Sequence, residues 1–183
     1  MQWKNDDSRY GCVAQALHWA IVALVVTQFV LASVADDLAL GPAKIATLAR
    51  HKSIGITLLG LVLLRLLWRW LNPAPAVPAG MQRWKYLAAR ATHLLLYALL
   101  LAIPVLGWLM SSARNFPVSW FGVFTLPDLV DPDRRAYELF HAAHEVAAKA
   151  LFVAALVHVA AALKHHFVDR DNVLRRMLPV QLR

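Results

Sequence analysis

Four histidines fall inside, or at the mouths of, apolar stretches of this 183-residue chain: His18, His51, His144 and His158. An ionisable side chain in an apolar run is costly unless it carries a function, and neutral imidazole is a common axial ligand of haem iron. His144 and His158 stand 14 residues apart. At about 100° and 1.5 Å per residue, that interval returns a helix to within roughly 40° of one face and separates the two imidazoles by about 21 Å. Two rings then look the same way at two depths, which is ligand spacing for two stacked haems in one bilayer.

The elements that would position these rings are membrane spans. The chain is 60% hydrophobic and only 16% charged, with a mean hydropathy of +0.51, outside the range of ordinary soluble domains. Four runs, at about 15–35, 46–71, 86–110 and 138–166, meet the ~20 apolar residues that a bilayer core requires. The expectation is an all-α, up-down four-helix membrane bundle forming a single domain over 1–183, with two haems between the helices. Asn72 to Gly80 contains three prolines and cannot continue a helix. Asp36 to Lys44, with Gly41-Pro42, separates the first two spans, and Ser111 to Tyr137 the last two.

Net charge and cysteine content exclude other classes. The formal charge of +8 lies between apolar runs and forms no basic stripe on a polar domain, so no nucleic-acid partner is expected. Cys12 is the only cysteine, which rules out an internal disulfide and a cysteine-rich metal site. Lys4 and Arg9 precede an apolar run ending in Ser33-Val34-Ala35, a small-x-small pattern. Asp6 and Asp7 interrupt the basic region and the run is long enough to span, so an uncleaved first helix is expected.

An even number of spans puts both termini on one side. Twelve of the 19 Lys/Arg and four of the 11 acids fall on that side, which carries all of the +8 while the opposite side is neutral. The positive-inside rule makes the termini cytoplasmic. Trp68, Trp70, Trp84 and Tyr86 then lie at the cytoplasmic boundary, and Trp108, Trp120 and Phe121 at or beyond the other. The same topology pairs the histidines. His18 opens the first span where His158 closes the fourth, and His51 opens the second span on the side where His144 opens the fourth.

Other residues surround this set. Ala148, Ala155 and Ala162 follow His144 along its face and leave room for a flat ring, and Gly55 does the same one turn beyond His51, although small residues also serve close helix packing. His141 stands about 100° off the face of His158, so His144 is the better ligand. Arg65 follows His51 by 14 residues and suits either a porphyrin propionate or the anchoring of a helix end. His165 extends the His144–His158 stripe to the cytoplasmic boundary, where it suits a quinone carbonyl or plain interfacial anchoring, and His93 shares that depth. His144-Glu145 lacks the second histidine of the zinc-protease motif, no Glu-x-x-His pair marks a di-iron bundle, and there is no phosphate-binding glycine loop.

The chain resembles the bacterial cytochrome b561 family. The resemblance rests on Leu17-His18-Trp19, Arg50-His51-Lys52-Ser53-Ile54-Gly55, His93-Leu94-Leu95-Leu96-Tyr97, Pro104-Val105-Leu106-Gly107, His144-Glu145, His158, His165-His166-Phe167 and the tail from Asp171 to Pro179. It covers nearly the whole chain. It implies two haem b groups, with His18 and His158 as iron ligands on the cytoplasmic side and His51 and His144 on the outer side. It also implies electron transfer to membrane ubiquinone, and a periplasmic donor for which superoxide is the concrete candidate. Arg50 and Lys52 beside His51, with Lys44, Arg134 and Arg135, are candidates for steering such an anion. A carrier subunit serving a dehydrogenase or hydrogenase, docked through the loop between residues 111 and 137, is the second expectation. A histidine-lined metal-ion carrier is the third.

Overall fold

The computed structural model describes residues 2–76 and 82–178. Pro78 of the three-proline connection, with Pro179 and Arg183 of the tail, lies outside the described residues. Four long helices follow in order: α1 (Cys12–Asp37), α2 (Pro42–Leu71), α3 (Arg83–Ala113) and α4 (Arg134–Phe167). All four are long and apolar enough to cross a membrane. Their lengths of 26, 30, 31 and 34 residues correspond to about 39–51 Å at 1.5 Å per residue, more than the ~30 Å hydrocarbon core. Each helix therefore overruns its hydropathy span at one end or both. The reason is that a helix stops where its backbone meets a cap or a breaker, while hydropathy records only the apolar stretch.

The caps are local. α2 starts with Pro42 in its first turn, where a missing amide donor costs nothing. α4 starts after Asp133, whose carboxylate accepts the Ala136 amide at 2.6 Å. α1 starts after Gly11, where a Cβ would run into the backbone of Trp3 and Lys4 as the N-terminal segment crosses the helix end.

α1 packs along α2, α3 packs along α4, and α2 against α3 joins the two hairpins. Ile21, Leu58 and Val62 form the buried core, with Leu24, Tyr97, Leu100 and Leu101 packed on it. α4 makes its close backbone approach to α3 and meets α1 through side chains, as where the Phe29 and Phe152 rings stand 5.5 Å apart. Along α4 the less exposed positions include His144, Ala148, Leu151, Ala155, His158, Ala162 and His165. That alternation of three and four is one inward face of a helix. Large apolar residues such as Val26, Leu63, Leu94 and Val153 are exposed on the outside of the bundle, where lipid would cover them.

Both ends of the described residues meet on one side, called the terminal face. The Tyr10 amide donates to the Arg176 carbonyl at 3.3 Å and the Ala76 amide to the Asp7 carbonyl at 3.1 Å. The Trp19 indole donates to the Met177 carbonyl at 2.9 Å, just past a short 3-10 turn over Arg175–Met177. On the far face, β1 (Ser119–Trp120) and β2 (Phe124–Thr125) form a small antiparallel hairpin in the connection from α3 to α4. Ser53 of α2 fastens it. Its hydroxyl faces the Ala49 and Ser119 carbonyls at 2.9 and 3.0 Å and accepts the Phe121 amide at 3.0 Å. The Trp120 indole adds a bond to the Thr57 hydroxyl at 3.0 Å.

Ser53 is 2% exposed, so Ser53→Ala should leave the Phe121 amide and Ser119 carbonyl without their partner at a cost of about 1–3 kcal/mol. Hydrogen exchange at Phe121 should speed up while amides in the middle of α2 stay protected; unchanged exchange at Phe121 would show that the hairpin does not depend on this residue.

Candidate functional site

Near the terminal face, α1 and α4 bring the His18 and His158 rings together, with centroids 6.3 Å apart and planes at 76°. Toward the far face, α2 and α4 do the same for His51 and His144, again 6.3 Å apart, at 66°. The two pairs predicted from topology are thus the two pairs observed. His144 Nδ1 stands 3.0 Å from the Ile103 carbonyl of α3. A carbonyl only accepts, so the nitrogen donates and Nε2 is left as the lone-pair nitrogen. His51 Nδ1 is buried and has no hydrogen-bond partner among the described residues. The Gln28 amide of α1 donates to the His51 backbone carbonyl at 3.0 Å. A Cβ at Gly55 would come within 3.1 Å of that amide, so Gly55 gives room to the Gln28 side chain of α1.

His93 sits against the terminal-face pair, its ring centroid 5.4 Å from that of His158. Arg65 is close enough to act electrostatically on His18, His93 and His158, and its Nε donates to the Tyr97 hydroxyl at 3.0 Å. A shallow cleft lined by Asn5, Tyr10, Arg65, Trp68, Arg69 and Tyr97 among others lies at the terminal face. His165 has a different setting. Its Nδ1 lies 2.5 Å from an Asp171 oxygen and 3.6 Å from Asp169, whose carboxylate also binds Lys164 at 2.8 Å and Lys85 at 3.4 Å.

On the far face, Arg50 is exposed, whereas Lys52 is occupied by the loop. Its ammonium donates to the Phe116 carbonyl at 3.1 Å and lies 3.7 Å over the Phe116 ring. His141 is exposed beside Tyr137, with ring centroids 5.7 Å apart, and stands outside the His51–His144 pair. Among the described residues, the one group of three or more potential ligands with donor atoms within 4.8 Å of one another is His165, Asp169 and Asp171. The four paired imidazoles are too widely spaced to close on a single bare ion. Gln28 and Ile103 escaped the sequence reading because a backbone carbonyl and an ordinary side chain leave no spacing signal, and Tyr97 entered it only as part of the family motif.

Paired imidazoles at two levels of four membrane-spanning helices are the features of a helical membrane cytochrome. The family model described as prokaryotic cytochrome b561 matches residues 9–180. The chain is 38% identical over 182 residues to cytochrome b561 homolog 2 of Escherichia coli strain K12, with 97% of this chain and 95% of that protein covered. It is 27% identical over 173 residues to cytochrome b561 homolog 1 of the same organism, with 94% and 98% covered. It is 26% identical over 173 residues to a protein of Yersinia pestis named probable superoxide oxidase CybB, with 93% and 96% covered. This chain belongs to the prokaryotic cytochrome b561 family and is a membrane electron carrier.

The family implies haem b, and the residues present fit it. Two nitrogen–metal bonds of about 2 Å, with each ring centroid about 1 Å further back, require about 6 Å between centroids. Both pairs stand at 6.3 Å. His51 Nδ1, buried and unpaired, is the kind of polar atom that a bound group explains.

The Asp169 clamp on the tail has a pH signature. Lys164, then Lys85, holds this carboxyl below its ordinary value of 3.8. A depressed carboxyl contributes its stabilisation above the unfolded value and loses it as pH falls through the folded one. Exchange protection of the Asp169 amide, bonded to the Lys164 carbonyl at 3.0 Å, should therefore be constant above 3.8 and decline at lower pH. Lys164→Met should move the decline upward in pH; an unmoved profile would contradict the assigned cause.

Proposed function

We propose that the chain carries two haem b groups, one held by His18 and His158 and one by His51 and His144, and passes electrons across the bacterial inner membrane to ubiquinone. The observation that carries this is the equal 6.3 Å spacing of the two ring pairs at two levels of one bundle. The concentration of positive charge on the terminal face supports cytoplasmic termini. The donor is periplasmic, and superoxide is its most specific form, a reading that draws on the name of the Yersinia pestis relative. In balance, two superoxide anions, one ubiquinone and two protons give two dioxygen molecules and one ubiquinol.

Bound haem b supplies reversible one-electron chemistry within an apolar interior. The chain's own residues do the rest. Four neutral imidazoles provide nitrogen ligands without bringing uncompensated charge into the bundle. Arg65, steadied by the Tyr97 hydroxyl, offers a guanidinium to a porphyrin propionate. His165, as an imidazolium held through its Nδ1–H by the Asp171 carboxylate, can donate its Nε2–H to a quinone carbonyl, and His93 is the other residue at that depth. The Asp171 carboxylate orients the ring. At the far face Arg50 remains available to an approaching anion, while Lys52 is spent on Phe116.

His158→Ala and His144→Ala should each lower the haem-to-protein ratio, and each should remove a different component of the reduced-minus-oxidised spectrum; an unchanged spectrum in both would overturn the ligand assignment. In proteoliposomes holding ubiquinone, an external superoxide source should drive quinone reduction at a rate well above that of haem-free protein. Equal rates would sink the superoxide reading. A second reading, an electron-carrying subunit that docks a redox partner, is favoured by the exposed Phe121, Val123 and Phe124 of the far-face hairpin. Recovery of a dehydrogenase or hydrogenase with the native protein would support it.

A further inference from the structure

Pro104-Val105-Leu106-Gly107 of α3 contains no histidine and lines no pocket described above, yet its last residue touches a proposed iron ligand. A Cβ built on Gly107 would stand 3.2 Å from Cε1 and 3.4 Å from Nδ1 of His144. The same ring is held by the Ile103 carbonyl, 3.0 Å from Nδ1. Ile103 and Gly107 are four residues apart in one helix and so lie one above the other on a single face. The imidazole is thus seated directly on the backbone of α3, between an acceptor that orients it and a position with no side chain. Among the described residues, none of the rings of His18, His51 and His158 makes a comparable hydrogen bond.

We propose that Gly107 is a positioning residue for the His51–His144 centre: its missing side chain lets the His144 ring reach the Ile103 carbonyl, which fixes the Nδ1–H tautomer and leaves Nε2 for iron. The inference rests on the two-haem reading above. Its physical content is steric first. At 3.2 Å a new methyl group must push the ring by a few tenths of an ångström, and an imidazole held between α3 and a metal has little freedom to retreat. A branched side chain would need more than that and would separate the ring from its acceptor. The second consequence is electronic. A ligand that donates its other N–H to a carbonyl is a more basic ligand, so loosening that bond changes the iron it serves. Glycine at this position is therefore required by the contact with the proposed iron ligand His144.

The test uses the haem-loaded protein, its haem-to-chain ratio, its low-temperature EPR spectrum and a redox titration. Gly107→Ala should keep both haems, move one low-spin signal and one of the two midpoints, and leave the other signal in place. Gly107→Val should reduce the ratio from two to one and leave the signal that survives in His144→Ala. Gly60 is the control. It lies in α2 with nothing within 4 Å of a built Cβ, so Gly60→Val should retain both haems and both signals. Gly107→Val with two haems and wild-type signals would overturn the proposal, as would an equal loss in Gly60→Val. If instead His144→Ala itself leaves both signals in place, the ligand assignment falls, and the role of Gly107 falls with it.

Discussion

Four imidazoles must be kept neutral, oriented and mutually spaced inside a bundle whose outer surface is apolar. In lipid the backbone can satisfy its polar groups only within helices, so long helices are the only frame available, and each imidazole has to find its place on a helix face. α4 meets this requirement by setting His144 and His158 on one inward stripe with alanines between them. α1 and α2 each supply one opposing ring, and both gaps come out at 6.3 Å. The division of packing follows from those gaps. Close backbone contact runs along α1 with α2 and α3 with α4, and α4 faces α1 and α2 across the ring pairs.

The ends of the bundle protect this frame in different ways. On the terminal face the N-terminal segment, the end of α2 and the tail are joined by backbone hydrogen bonds and by the Trp19 indole. That knot borders the cleft lined by Arg65 and Arg69, whose positive charge is felt at the His18 and His93 rings. On the far face a hairpin is tied to Ser53 and Thr57, and Lys52 is drawn onto Phe116 just before it. A charge that looks free for an incoming anion in the sequence is thus part of the scaffold, and Arg50 is left as the exposed one.

Much of this was readable before any coordinates. The spans show in hydropathy because the bilayer imposes a minimum apolar length. The pairs His18–His158 and His51–His144 follow from an up-down topology alone, and the 14-residue interval on α4 ranks His144 above the exposed His141. What could not be read depends on contacts between distant parts of the chain. The Gln28 amide of α1, which lies against Gly55, leaves no trace in residue spacing. His165 suited a quinone or the membrane surface, and its carboxylate partner Asp171 has no fixed spacing that would announce it. The Ile103 carbonyl against His144 is a backbone group, and backbone groups carry no sequence signal.

The claim on which all else rests is that the two ring pairs are two bis-imidazole haem sites in one chain. Quantifying haem b per chain in the purified protein, with an EPR spectrum of the oxidised form, tests it most directly. The account predicts two haems per chain and two distinct low-spin signals of bis-histidine type. One haem per chain, or a high-spin signal from iron lacking its second imidazole, would contradict it.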